Sequence, residues 1–114
     1  MTIYKICPAQ EWAQALQQRS YSGSPLDRKD GFIHFSTGTQ VAGTLAKYYT
    51  EANDLVLVAV DAAELGEALC FEAARDGALF PHLYAALPLD AVQWVKPLTR
   101  GADGVFVLPP ELGE

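Results

Sequence analysis

Asp30-Gly31-Phe32-Ile33-His34-Phe35-Ser36-Thr37-Gly38-Thr39-Gln40 is the stretch from which the rest of the chain can be read. Asp30-Gly31 is a turn signal. Phe32 to Phe35 are aromatic or β-branched apart from His34, which suits a short, mostly buried strand. Because side chains alternate across a strand, Phe32, His34 and Ser36 share one face, and Ile33 and Phe35 the other. Thr37 followed three residues later by Gln40 has the form of a capping box and places a helix start directly after the strand. Two polar side chains on one strand face, feeding the amide donors of a helix N-terminus, make a small-ligand site. The alternative is a structural histidine that ties its strand to a neighbour by hydrogen bonding.

Toward the N-terminus, Ser20 to Gly31 shows no periodicity. It holds Gly23, Pro25, Gly31, several serines and the charged run Asp27 to Asp30, and is expected to be a surface loop of the kind that lines a site. Ahead of it, Ala9, Trp12, Ala13 and Leu16 follow helical spacing while Gln10, Gln14, Gln17 and Gln18 fall off the stripe. This predicts a helix over 9–19 that opens at Pro8. Thr2 to Cys7 alternates as an opening strand, with Ile3 and Lys5 on one face and Tyr4 and Ile6 on the other.

Toward the C-terminus, Val41, Leu45, Tyr48 and Tyr49 predict a second helix over 38–50. Leu55-Val56-Leu57-Val58-Ala59-Val60 is a continuous apolar run, the pattern of a central strand covered on both faces. Asp61 and Glu64 suit a short helical turn. Glu67 to Ala73, Phe80 to Tyr84, Ala91 to Leu98 and Val105 to Leu108 read as further strands. The breaks between them are Arg75-Asp76-Gly77-Ala78, Pro88-Leu89-Asp90 and Gly101-Ala102-Asp103-Gly104. Residues 109–114 read as an unpaired tail. The order predicts one α+β domain, 1–114, of two helices packed on mostly antiparallel strands.

Half of the residues are hydrophobic and 19% are charged, the profile of a folded domain rather than a disordered chain. Lys and Arg number 8 against 14 Asp and Glu, a net charge of -6. That balance excludes a nucleic-acid backbone binder, which needs clustered Lys and Arg. Cys7 and Cys70 have no CxxC spacing and read as small reduced side chains. No signal peptide is expected from Met1-Thr2-Ile3-Tyr4-Lys5, and no run reaches the length of a membrane span. A cytoplasmic protein without membrane contacts is therefore expected.

His34 and His82 are the two histidines, each among aromatic residues. If both strands line one cleft, His34, Ser36, His82 and Tyr84 form a compact polar group within apolar walls, the make-up of a small-molecule pocket. Glu72 is the acid to single out, as a base or as a partner for positive charge developing on a sugar. The alternative is an edge-strand glutamate facing water. Lys5, Arg28 and Arg75 are candidate phosphate donors, with solvated surface charge as the alternative for each. No HxxxH or HxH spacing prepares a metal site. No GxSxG elbow supports a triad of Ser36 and His34 with an acid, and no GxGxxG or Walker-type loop is present. The expected catalytic residues are thus His34 and Glu72, and the expected ligand-binding residues Lys5, Ser36, Thr37, His82 and Tyr84, with no metal.

Gly31-Phe32-Ile33-His34-Phe35-Ser36-Thr37 with Gln40, paired with Phe80-Pro81-His82-Leu83-Tyr84, resembles the small bacterial proteins of the domain of unknown function 952 family. The resemblance runs from Ile3-Tyr4-Lys5-Ile6 to about Val95. That family is similar in fold to ADP-ribosyltransferases and tRNA 2′-phosphotransferases, which hold NAD or ADP-ribose in a cleft between two small antiparallel sheets. The resemblance implies that fold and NAD, ADP-ribose or a related nucleotide as ligand. It implies no activity. Phe35-Ser36-Thr37 looks like the transferases' strand-to-helix element, and Tyr4-Lys5 stands where they use a first-strand His or Arg. Glu72 is a candidate for their ribose-polarising glutamate, and Ala85 follows Tyr84 where the family often has glycine. Two functional classes follow. One is an enzyme-like domain with glycosyl- or phospho-transfer-type chemistry; the other is a non-catalytic ligand-binding or interaction module on the same scaffold. Lys5 separates them: turned to the cleft it favours a phosphate-bearing ligand, turned to water it favours the module.

Overall fold

The apolar run at Leu55 to Val60 becomes the middle of the molecule in a computed structural model that describes residues 1–74 and 77–113. Arg75 and Asp76, expected in a turn and in part as a phosphate donor, lie outside the described residues, as does Glu114. The strands in chain order are β1 (Thr2–Pro8), β2 (Ser20–Tyr21), β3 (Ile33–His34), β4 (Ser36–Thr37), β5 (Leu55–Asp61), β6 (Leu69–Ala73), β7 (Leu79–Leu83), β8 (Leu87–Pro88), β9 (Val92–Arg100) and β10 (Phe106–Val107). The α-helices are α1 (Ala9–Gln18), α2 (Pro25–Asp30) and α3 (Val41–Tyr48). Short 3-10 turns cover Ala62–Ala68, Leu89–Ala91 and Pro110–Gly113. The result is a single α+β domain with a curled antiparallel sheet and a few helices.

The largest sheet has five strands in the order β10-β9-β5-β1-β4, antiparallel throughout. β5 lies at its centre, where Val58 opposes Lys5 of β1 on one side and Val95 of β9 on the other. Covering both faces explains the lack of polar alternation. Val58 and Val60 join Ile3, Cys7, Trp12 and Tyr21 in one core layer. Leu55, Leu57 and Ala59 join Tyr4, Ile6, Val41 and Leu45 in the other. Cys7 and Cys70 are free thiols, and burial pushes the Cys7 thiol up to about 12.

A second sheet, β3-β7-β6, and a two-stranded pair, β2-β8, complete the β structure. The chain passes from one sheet to the other at Phe35. Before it, β3 pairs with β7 (Ile33 with Leu83, His34 with His82); after it, β4 pairs with β1 (Tyr4 with Ser36). The Phe35 N–H donates to the Pro81 carbonyl at 2.9 Å, so the crossing residue keeps its backbone bond. The expected strand over 32–35 is therefore the two-residue β3, and a second strand, β4 in the other sheet, follows it where a helix start was expected. The expected faces hold: Ile33 and Phe35 enter the core, while Phe32, His34 and Ser36 look the other way, into the cleft described below.

The expected loop over 20–31 contains β2 and α2, so the described residues hold three α-helices rather than two. Ser24 Oγ accepts from the Asp27 N–H at 3.1 Å, and Asp27 Oδ2 accepts from the Ser24 N–H at 2.9 Å. Pro25 takes the first helical turn, and Gly31 stops the helix at φ 90°. A helix of six residues is too short to show a periodic stripe. In α1 the buried positions are Trp12 and Ala15, whereas Ala9, Ala13 and Leu16 are exposed. The helix is turned so that Glu11 reaches the buried Tyr21 hydroxyl, a bond that alanine spacing does not reveal. α3 begins at Val41, not 38: Thr37 still pairs with Ile3 in β4, and residues 38–40 form a turn in which the Gln40 N–H donates to the Thr37 carbonyl at 3.0 Å.

Arg100 ties the C-terminal end of α3 to the sheet. Its guanidinium donates to the carbonyls of Tyr49, Thr50, Ala52 and Gly104 and lies 4.0 Å above the Phe106 ring. Near the other edge Pro110–Gly113 buries Leu112 in the core, and Glu111 pairs with Lys96. No helix among the described residues is long and apolar enough to cross a membrane.

Candidate functional site

β1 and β4 of the large sheet, β3 and β7 of the second, and the helices α2 and α3 enclose a cleft of about 600 Å³. At its base sits Asp27, whose side chain is 2% exposed. Its Oδ2 takes the Lys5 Nζ at 2.8 Å and the Ser24 N–H at 2.9 Å. Its Oδ1 takes His34 Nδ1 at 2.5 Å and the His34 N–H at 3.2 Å. An unpaired carboxylate at such a depth would be costly to bury, and here each oxygen has two donors. Burial alone would push the carboxyl up. The bond from His34 and the Lys5 charge and bond outweigh it, holding Asp27 well below the usual carboxylate range.

His34 is carried from this anchor toward the opening: its side chain is 33% exposed, and its Nε2 lies 3.1 Å from Asp30 Oδ2. Opposite it in the strand register stands His82, with the two rings edge to face at 5.4 Å. Phe32 stacks on His82 at 4.1 Å and leans on His34 at 4.6 Å. His82 Nδ1 meets Glu72 Oε1 at 2.8 Å, and the same oxygen accepts from the Tyr84 hydroxyl at 2.7 Å. Those two bonds, Tyr84 first, lower the Glu72 carboxyl, and the bond to Glu72 raises the Tyr84 phenol. The His82 side chain is only 8% exposed and that of Glu72 41%, so the second acid stands at the surface behind its imidazole. Ser36 Oγ sits 3.1 Å from Thr44 Oγ1 inside the cleft, and Leu26 and Tyr48 rim it with exposed apolar surface.

Of the expected cleft group, His34, Ser36 and His82 are brought together around one cleft and Tyr84 is not; Lys5, whose orientation the pattern left open, joins them. Lys5 is buried and turned to the cleft side, bonded to Asp27. Glu72 reaches the group only through His82, and Tyr84 lines a shallower groove on the far side of Phe32. Thr37 stays out of the lining, and α3 presents Thr44 and Tyr48 to the cleft rather than its first amides. Arg28 belongs to the shallower groove. Sequence reasoning named neither Asp27 nor Asp30 as a site residue, placing both in a surface loop of the kind that lines a site. The signal was present in Ser24-Pro25-Leu26-Asp27, which has a capping residue, Pro at the first helical position and an acid at the third. Among the described residues no group of three or more His, Cys, Asp or Glu is arranged to hold a metal ion.

Residues 6–95 match the model of a family described as protein of unknown function, DUF952. The crystal structure of protein CC0527 from Caulobacter crescentus is similar over 100% of both chains, at 45% identity and a TM-score of 0.93. The solution structure of CC0527 is similar over 98% of this chain and 93% of its own, at 46% identity and a TM-score of 0.82. No curated protein matches the chain.

Proposed function

The chain belongs to the DUF952 family, and from that premise we propose that its cleft binds a small nucleotide- or ADP-ribose-like molecule, NAD included, on which the Asp27–His34 pair moves a proton. One observation carries the reading: His34 is pinned at Nδ1 by a buried carboxylate, while a third of its side chain stays open to a cleft. A carboxylate on one ring nitrogen fixes the orientation and basicity of an imidazole; the other nitrogen, 3.1 Å from Asp30 Oδ2, meets a ligand once that side chain turns away. Phe32, Phe80 and Tyr48 give the cleft flat apolar surfaces suited to a planar ring. Lys5 faces this cleft rather than water, the orientation that favours a phosphate-bearing ligand over a bare interaction module. The likeness to ADP-ribosyltransferases and the glycosyl- or phospho-transfer chemistry it implies belong to the proposal, supported by a cleft flanked by two antiparallel sheets. Glu72 acts here as a positioning residue for His82, since it touches the cleft only through that ring.

A thermal-shift screen with NAD, ADP-ribose and mononucleotides tests the reading. A ligand present at about 100 times its dissociation constant should stabilise the fold by about 2.7 kcal/mol, a gain that shrinks in His34→Ala. A screen in which none of these compounds moves the melting transition, or in which His34→Ala responds as fully as the parent, overturns it.

A further inference from the structure

We propose that Asp30 occupies the place of an acidic group of the ligand, and that the cleft takes a small molecule whose anionic oxygen, on a phosphate or a carboxylate, displaces Asp30 from His34. The proposal rests on the reading of this cleft as a ligand site and names the chemistry that fills it.

Both ring nitrogens of His34 face carboxylate oxygens, Nδ1 at 2.5 Å from Asp27 and Nε2 at 3.1 Å from Asp30. An ionised carboxylate only accepts hydrogen bonds, so the ring serves both acids only as an imidazolium, with Nδ1 bonded to Asp27 and Nε2 within ion-pairing distance of Asp30. The groups around it are accounted for element by element. α2 supplies Asp27 and Asp30, and β1 supplies Lys5 behind Asp27. β7 supplies His82 edge-on, and β6 supplies Glu72 on Nδ1 of His82. Lys5 therefore balances Asp27, which leaves Asp30 to balance the imidazolium.

The two acids are held very differently. Asp27 is buried and locked by four donors, as described above. Asp30 is the last residue of α2, with a side chain 37% exposed, followed by the helix-stopping Gly31. Turning its side chain outward breaks no helical bond and leaves a cationic ring facing the cleft. An incoming anionic oxygen then replaces one acceptor on Nε2 by another, so the charge is paired at both ends of the exchange. A neutral ligand would have to leave the imidazolium without its counter-charge. The cleft therefore selects anions.

Asp30→Asn is the test, with inorganic phosphate and acetate as probes and the ring-nitrogen NMR signals of His34 as readout. The spectra show directly whether both ring nitrogens of His34 carry protons in the parent and keep them when phosphate takes the place of Asp30. If Asp30 covers His34 about nine-tenths of the time, its removal tightens phosphate binding about tenfold, because apparent affinity scales with the competent fraction. Asp30→Ala, with the same folded melting transition, must give the same gain. Phosphate acting alone identifies a phosphate site, and acetate acting equally identifies a general anion site. Equal phosphate affinity in parent and both Asp30 variants overturns the proposal. So does a phosphate response that persists in Asp30→Asn combined with His34→Gln. Should nucleotides stabilise the parent while Asp30→Asn gains nothing, the cleft reading stands and the Asp30 exchange falls. Should phosphate bind Asp30→Asn through His34 while no nucleotide stabilises the parent, the exchange stands and the nucleotide reading falls.

Discussion

His34 with Asp27 and His82 with Glu72 are two imidazole–carboxylate pairs set opposite each other on paired strands, and they are built in opposite senses. In the first the acid is buried and the ring is open to the cleft; in the second the ring is buried and the acid is open to solvent. The chemistry of the two contacts is the same, but the energetics are not. A buried carboxylate must be satisfied by fixed partners, so the fold itself determines where His34 points. An exposed carboxylate is stabilised by water whether or not its partner is present, so Glu72 adds little to the frame and adjusts His82 from outside.

Removing Asp27 should break this contrast most severely. Asp27→Ala strands the Lys5 ammonium in the interior and should cost about 3 to 5 kcal/mol, read by denaturant unfolding. The pH profile carries the same signature with a definite sign. The folded carboxyl lies below its unfolded value, so its contribution is whole above about pH 4 and fades as the pH falls toward the lowered folded value. Asp27→Asn should lack that acid limb; an unchanged acid profile would show that the pair contributes nothing to folding.

His34→Ala comes next. It removes one charge-assisted bond from Asp27 but leaves the Lys5 and Ser24 bonds in place, and water can reach the vacated position. A loss of about 1 to 2 kcal/mol is expected. A loss as large as that of Asp27→Ala would mean that the ring is chiefly structural. The smallest effect belongs to Glu72→Gln, whose melting transition should move less than that of His34→Ala. If Glu72→Gln proved the more damaging of the two, burial would not be what separates the pairs.

The alternation that put His34 and Ser36 on one face was readable in the sequence because period two depends only on local backbone geometry. So was the burial of Leu55 to Val60, which needs no knowledge of partners. The passage between sheets at Phe35 was not readable, since it depends on β1 and β7, far away in sequence. Asp27 was hidden for another reason. In a run with Arg28, Lys29 and Asp30 it looks solvated, and only the register of a six-residue helix turns it inward. The site was therefore half visible: its imidazoles could be read from strand patterns, whereas its anchor became apparent only from the packing.

The position of β5 between β1 and β9 also bears on biosynthesis. Translation delivers β1 first, yet its main partner, running from Leu55 to Asp61, is made only after some fifty further residues. At about 5 to 20 residues per second, the first strand waits several seconds without that neighbour. Such non-local pairing slows folding and leaves an apolar strand open to wrong partners. Lys5 sits in the middle of β1, and a lysine on an unpaired strand discourages edge-to-edge association. Asp27, which neutralises that lysine in the finished fold, emerges well before β5. A lysine at that position suits both stages, deterring edge pairing while β1 is open and bonding Asp27 in the finished fold.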